Sequence, residues 1–172
     1  MTYLNVQNKC LLKAAKAAEE AAPKDTKWRQ MFHLCPVTGW MNDPNGLCRF
    51  LGEYHIFFQY SPFFPAPGLN FWGHFTTKDF VHYTYLPPAL CCDQQFDCHG
   101  VYSGSALEVD GTLFAYYTGN VKKIGADYDY VHSGREHNTV LAVSKDGRTF
   151  LQKRVLLKNS DYPKDVTCHV RD

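Results

Sequence analysis

The chain carries no excess of either charge: 18 Lys and Arg against 17 Asp and Glu in 172 residues leave a net charge of +1. That balance gives no electrostatic reason to expect nucleic acid or an anionic membrane as a partner, and it favours small or neutral ligands. No Cys-x-x-Cys pair is present. The seven cysteines, at 10, 35, 48, 91, 92, 98 and 168, are odd in number and include two adjacent residues. This argues against a zinc ribbon and against a disulfide framework, and free thiols in a reducing compartment are expected. There is no Asn-x-Ser/Thr acceptor and no apolar run long enough to span a membrane. In the first thirty residues Lys9, Lys13, Lys16, Glu19 and Glu20 interrupt the alanines, which leaves no apolar core for a signal peptide. A soluble cytoplasmic protein is the expectation.

Aromatic residues, by contrast, are plentiful at 15%. That suits a β-rich core or stacking against sugar rings, and composition alone does not separate the two. The length is sufficient for one ordinary domain with its own core. Residues 6–22 are rich in Ala, Lys, Glu and Leu, with Leu11, Leu12, Ala15 and Ala18 on one broad face and Pro23 ending the run. This predicts a helix packed against the edge of the domain.

After Phe32 the texture changes to short β-type runs separated by Gly, Pro, Asn and Asp. Strands are predicted at 47–51, 54–60, 71–77 and 81–86, then at 101–109, 112–118, 140–144 and 149–153. The two sets superpose: 52–60 on 110–118 at an offset of 58, and 77–80 on 144–147 at an offset of 67. A repeat of about 60 residues with four strands each fits radially repeated four-stranded blades, with a β-sandwich as the competing reading. Residues 121–137 read as a long polar surface loop at a substrate entrance.

One segment carries chemistry. In Trp40-Met41-Asn42-Asp43-Pro44-Asn45-Gly46, Pro44 pushes Asp43 toward extended backbone, and Asn45-Gly46 reads as a tight turn. Asp43 is thereby expected at the start of a strand, either as a surface Asp capping its own backbone or as a reactive carboxylate. Around it lie His33-Leu34-Cys35-Pro36, Tyr54 to Tyr60, Trp72-Gly73-His74, Tyr102-Ser103-Gly104-Ser105-Ala106, Tyr117-Thr118-Gly119-Asn120 and Arg171-Asp172. In this order the segments resemble glycoside hydrolase family 32, the invertases, fructanases and sucrose-6-phosphate hydrolases, from about Phe32 to the last residue.

The resemblance implies an all-β fold: part of a five-bladed β-propeller, about two blades and the start of a third. Residues 1–30 would form an N-terminal α-helix and linker, and 31–172 the incomplete propeller domain. It implies Asp43 as nucleophile and Asp172 as a transition-state stabiliser that holds sugar hydroxyls. Substrate contacts would come from Trp40, Met41, Asn42, Gln59, Trp72, Tyr102, Ser103 and Arg171. Trp72 and Tyr102 are equally readable as core aromatics, and His74 reads as a core histidine. Taken alone, Arg171-Asp172 reads as a solvated chain end. Retaining glycoside hydrolysis needs two carboxyl groups roughly 5 to 5.5 Å apart, one attacking and one protonating the leaving oxygen. The histidines and cysteines form no convincing metal set, so no metal and no cofactor are expected.

The sequence departs from the family in three places. Pro67 stands where many members carry a substrate-contacting Trp, and Thr139 stands near a Gln position. The sequence also stops at Asp172, short of the family's later acid/base glutamate. The expected activity is cleavage of terminal non-reducing β-D-fructofuranosides such as sucrose, sucrose 6-phosphate or fructan, by an enzyme of which this chain supplies the N-terminal part. Such a part, lacking the rest of the propeller, is expected to be inert alone. A non-catalytic fructoside-binding remnant and a related propeller fructosyltransferase are the alternatives.

Overall fold

The computed structural model describes residues 3–24 and 27–165, so Arg171 and Asp172 lie outside the described residues. Helix α1 (Tyr3–Glu20) is followed by two four-stranded antiparallel sheets. The first contains β1 (Trp40–Phe50), β2 (Glu53–Ser61), β3 (Phe71–Thr77) and β4 (Tyr83–Leu90). The second contains β5 (Val101–Val109), β6 (Thr112–Lys122), β7 (Arg135–Ser144) and β8 (Leu151–Leu157). In both, sequence order equals spatial order, the up-and-down arrangement expected of a propeller blade.

The helix packs against the first sheet, as expected. Ala15 is fully buried, and Leu11 and Leu12 lie against the same core. Near its C-terminal end, the Glu19 carboxylate accepts hydrogen bonds from the hydroxyls of Tyr60 and Tyr85 at 2.9 and 2.6 Å.

The two sheets share one core. Phe50, Phe57, Trp72 and Leu90 from the first meet Val101, Leu113, Ala115, Tyr117, Val140 and Ala142 from the second in a continuous apolar cluster. Each fully buried large apolar side chain in it contributes about 1.5–3 kcal/mol relative to exposure. A buried ion pair holds the connection between the sheets: Lys153 on β8 donates to Asp97 at 2.9 Å, and Tyr117 donates to the same carboxylate oxygen at 2.8 Å. Burial pushes the Asp97 carboxyl up, and Lys153 pulls it back.

The internal repeat is real, and its register differs by one from the expectation. Both inner hairpins turn on two residues with positive φ, Leu51-Gly52 and Asp110-Gly111, so the hairpins superpose at 59 rather than 58. The second match holds as expected. Thr77 and Ser144 end β3 and β7, and their hydroxyls accept from the amides of Phe80 and Gly147, both at 2.9 Å. Phe80 and Gly147 both have positive φ.

Strand β1 corrects a further expectation. Asn45-Gly46 is not a turn: the strand runs on through it, with one irregularity between Met41 and Pro44 and another between Asn45 and Cys48. Gly46 takes φ +49, and a Cβ there would lie 2.9 Å from the Trp72 ring and 3.0 Å from Phe57. The residue that looked like a turn glycine lets β1 bend over two core aromatics.

Candidate active site

The irregularity between Met41 and Pro44 is a β-bulge: Met41 faces Tyr60 and Pro44 faces Phe58, so Asn42 and Asp43 together oppose the single residue Gln59. Strand β5 repeats the device, because Val101 faces Gly119 and Gly104 faces Tyr117, leaving Tyr102 and Ser103 opposite Thr118. A bulge re-aims the side chains it carries. Here the two bulges bring residues 60 apart in sequence into contact, with the Ser103 hydroxyl donating to Asp43 Oδ2 at 3.2 Å. Asn42 and Asp43 are exposed and Ser103 is half-buried. Asp43 therefore lies four residues into β1 rather than at its start, and it faces a neighbouring strand rather than capping its own turn.

Beneath the bulges lies a buried layer that joins the sheets. Gln59 Nε2 donates to the Val101 carbonyl at 3.1 Å, and Trp72 Nε1 donates to the Tyr102 carbonyl at 2.9 Å. In the amide orientation that satisfies its surroundings, Asn45 accepts from Gln59 N and Gln59 Nε2 at 3.2 and 3.1 Å and gives its Nδ2 proton to the Pro44 carbonyl. The Val101 amide in turn donates to the Asn70 carbonyl at 2.9 Å.

The residues expected to touch sugar thus fall into two groups. Asn42, Asp43, Tyr102 and Ser103 are brought together at the bulges, with Trp40 half-buried at the start of the same strand. Gln59 and Trp72 are buried beneath them and hold the β5 backbone. The fully buried Trp72 is a core aromatic with its indole nitrogen engaged, the core reading of the two left open. Met41 points into the opposite cluster around Phe58, Tyr60 and Phe75, away from Asp43. Asp172 and Arg171 lie outside the described residues.

His74 is a core histidine, wholly buried and hydrogen-bonded through Nε2 to His55 Nδ1 at 3.0 Å. Burial pushes the His74 imidazole down to about 3. Among the described residues no group of three or more His, Cys, Asp or Glu side chains is disposed to hold a metal ion.

Sequence reasoning missed Asn45, Asn120 and Arg135. Arg135, on β7, reaches across β6 and donates to the Tyr102 hydroxyl at 2.7 Å, with its guanidinium 5.8 Å from that ring. The loop of residues 123–134 leaves β6 at the same end as the bulges, since Lys122 faces Arg135 where that loop closes the hairpin.

Two adjoining four-stranded antiparallel sheets, whose first strands bring a carboxylate against a hydroxyl donor, define an all-β protein built of blade-like sheets. The glycosyl hydrolases family 32 N-terminal domain matches residues 33–172, and the chain belongs to that family. It is 39% identical over 166 residues to a sucrose-6-phosphate hydrolase of Zymomonas mobilis, covering 95% of this chain and 31% of the relative. To the sucrose-6-phosphate hydrolase of Bacillus subtilis it is 44% identical over 144 residues, covering 84% and 28%. Among solved structures it resembles sucrose-6-phosphate hydrolase from Lactobacillus gasseri, with TM-score 0.65 and 35% identity over 82% of this chain and 27% of that one. A Bombyx mori family 32 β-fructofuranosidase superposes with TM-score 0.72 and 29% identity, over 94% and 32%. The chain spans less than a third of the length of these relatives.

Proposed function

We propose that this chain is the nucleophile-bearing part of a retaining β-fructofuranosidase that cleaves terminal non-reducing β-D-fructofuranosides, sucrose 6-phosphate or sucrose foremost. The observation that carries the reading is the pair of matched bulges. They hold Asp43 exposed, with a hydroxyl donor on one of its oxygens. In this mechanism Asp43 attacks the anomeric carbon of the fructosyl group while a second carboxyl group protonates the departing glycosidic oxygen. Water then releases the sugar from the enzyme with the same acid acting as base. Asn42, Tyr102 and Ser103 line the fructosyl pocket, and Asp172 steadies the oxocarbenium-like transition state through sugar hydroxyls.

In this reading the acid/base lies in the part of a family-length enzyme that this chain does not include, and further blades close the ring around the axis to which β1 and β5 contribute. The chemistry uses two carboxyl groups and water, with no cofactor. We place the protein in the cytoplasm, in keeping with reduced thiols at Cys10, Cys35, Cys48, Cys92 and Cys98. The names of the bacterial relatives support sucrose 6-phosphate as a substrate.

The test is stereochemical. When the family-length enzyme carrying this chain is supplied with sucrose in aqueous methanol, proton and carbon NMR should show methyl β-D-fructofuranoside as the first transfer product. The α-anomer as first product would rule out double displacement through Asp43.

A further inference from the structure

We propose that Arg135 is a positioning residue of the fructoside site: by holding the Tyr102 phenol it fixes the β5 bulge that turns Ser103 onto Asp43. This rests on the hydrolase reading above and extends it to a residue two strands away from the β5 bulge.

A bulge lacks the ladder partners that hold a regular strand, so the backbone at Tyr102 and Ser103 needs other restraints. Three side chains from three strands supply them. Gln59 on β2 binds the Val101 carbonyl, Trp72 on β3 binds the Tyr102 carbonyl, and Arg135 on β7 binds the Tyr102 hydroxyl. Gln59 and Trp72 are buried and also serve the core. Arg135 is half-buried, and among the described residues it also makes a long hydrogen bond, 3.5 Å, to Asn120 Oδ1.

Asn120 ties the same end of the strand from below. It is fully buried, its side chain donates to the His99 carbonyl at 3.2 Å, and its backbone exchanges hydrogen bonds with His99 and Gly100, both at 3.0 Å. Arg135 thus bridges Tyr102 to a residue that helps anchor the chain leading into β5. From the other side its own carbonyl accepts from Asn159 Nδ2 at 3.4 Å.

The chemistry of the contact matters as much as its position. A guanidinium donates only, so at 2.7 Å the Tyr102 oxygen is the acceptor and the phenol proton points away from Arg135. The same contact therefore sets the orientation of the ring and that of the hydroxyl proton. A neutral or shorter side chain at 135 releases both, and the Ser103 hydroxyl then loses its fixed approach to Asp43 Oδ2.

The test is a double-mutant cycle in the family-length enzyme, with kcat and KM for sucrose and sucrose 6-phosphate and with melting temperature measured for every variant. Arg135→Met and Tyr102→Phe should each lower kcat by about 10- to 100-fold, because orientation of the attacking group is lost; in Arg135→Met, which removes no sugar contact, KM stays nearly constant. The double variant should be no worse than the more damaged single variant, and Arg135→Lys, which keeps a donor, should recover part of kcat. Additive losses would overturn the proposal, as would a change confined to KM, or a lowered melting temperature with unchanged kinetics. Tyr102→Phe keeps the charge and the ring, so it tests the contact even where Arg135→Met folds poorly. Asp43→Ala, run alongside, separates the two claims: if it abolishes turnover while the cycle is additive, only the role of Arg135 falls. If it retains turnover, the hydrolase reading falls.

Discussion

Asp43 is exposed because its neighbours on both sides are committed elsewhere. Met41 is packed into the cluster around Phe58 and Tyr60, and Asn45 is buried under β1 with its amide engaged. The odd residue of the bulge leaves the carboxylate facing β5, where Ser103 meets it. A hydrogen bond to a charged acceptor contributes about 1.5–3 kcal/mol, and here it holds one oxygen of the carboxylate. Ser103→Ala should accordingly lower kcat by about tenfold, as expected when one orienting contact to the attacking group is lost, with only a small fall in melting temperature. Steady-state kinetics with sucrose would show this, and wild-type kcat in the variant would detach Ser103 from the nucleophile.

The inner strands, as elements, work by repetition with a flaw. Both hairpins close on a two-residue turn with positive φ at both positions, the geometry that matches strand twist, and both inner strands then carry a bulge at the equivalent height. On β5 the bulge ends at Gly104, where a Cβ would lie 1.9 Å from the Tyr116 carbonyl oxygen and 2.8 Å from Tyr117 Cα. These are backbone atoms, so the strand itself has to move. Gly104→Ala should therefore cost stability by about 2 kcal/mol or more and lower kcat together with it, measurable by thermal unfolding and by turnover. A fully active, fully stable variant would show that the bulge is not needed.

How far these elements were readable follows from the range of the forces that set them. Residues 71–77 and 101–109 were legible to their ends, because strong β formers run between turn residues. Asn45-Gly46 was misread, since a glycine with positive φ serves a bulge as well as a turn and only the register across β2 distinguishes them. Asp43 and Ser103 were both legible as candidates through their motifs, though their contact with each other was not. Arg135 left no local signal, and Asn120 stood out only as the end of the Tyr117-Thr118-Gly119-Asn120 segment, with nothing to mark its bonds to His99 and Gly100. Their importance lies in which strand they reach across to, and no spacing along the chain encodes that.

At the scale of the whole molecule, the sheets are joined by an apolar core with polar ties set into it. One tie is acid-sensitive. His74 is buried against His55, and beside it the turn at Gly147 packs on the His55 ring. Arg148, next along, pairs with Glu53 across the sheets at 2.9 Å. Because burial depresses the His74 imidazole to about 3, the folded state favours the neutral ring. Its contribution is complete above the ordinary histidine value near 6.5 and declines as pH falls from there toward 3. The slope is about 1.4 kcal/mol per pH unit for one such proton. Between pH 6.5 and 5, above most carboxylate titrations, the unfolding midpoint in denaturant should fall, and His74→Phe should flatten that dependence. An equally steep dependence in His74→Phe would place the acid sensitivity elsewhere.

The central claim is that the carboxylate presented by the β1 bulge attacks the fructosyl carbon. It is tested most directly by Asp43→Ala in the family-length enzyme, with fructose release from sucrose and sucrose 6-phosphate measured beside thermal unfolding. Asp43 is exposed, and among the described residues its side chain accepts a hydrogen bond from Ser103, so the fold should survive with an unchanged melting temperature. Turnover should drop by about 10⁴-fold or more, as for other enzymes stripped of a nucleophile or its partners. Fructose release within tenfold of wild type from a correctly folded Asp43→Ala protein would contradict the account.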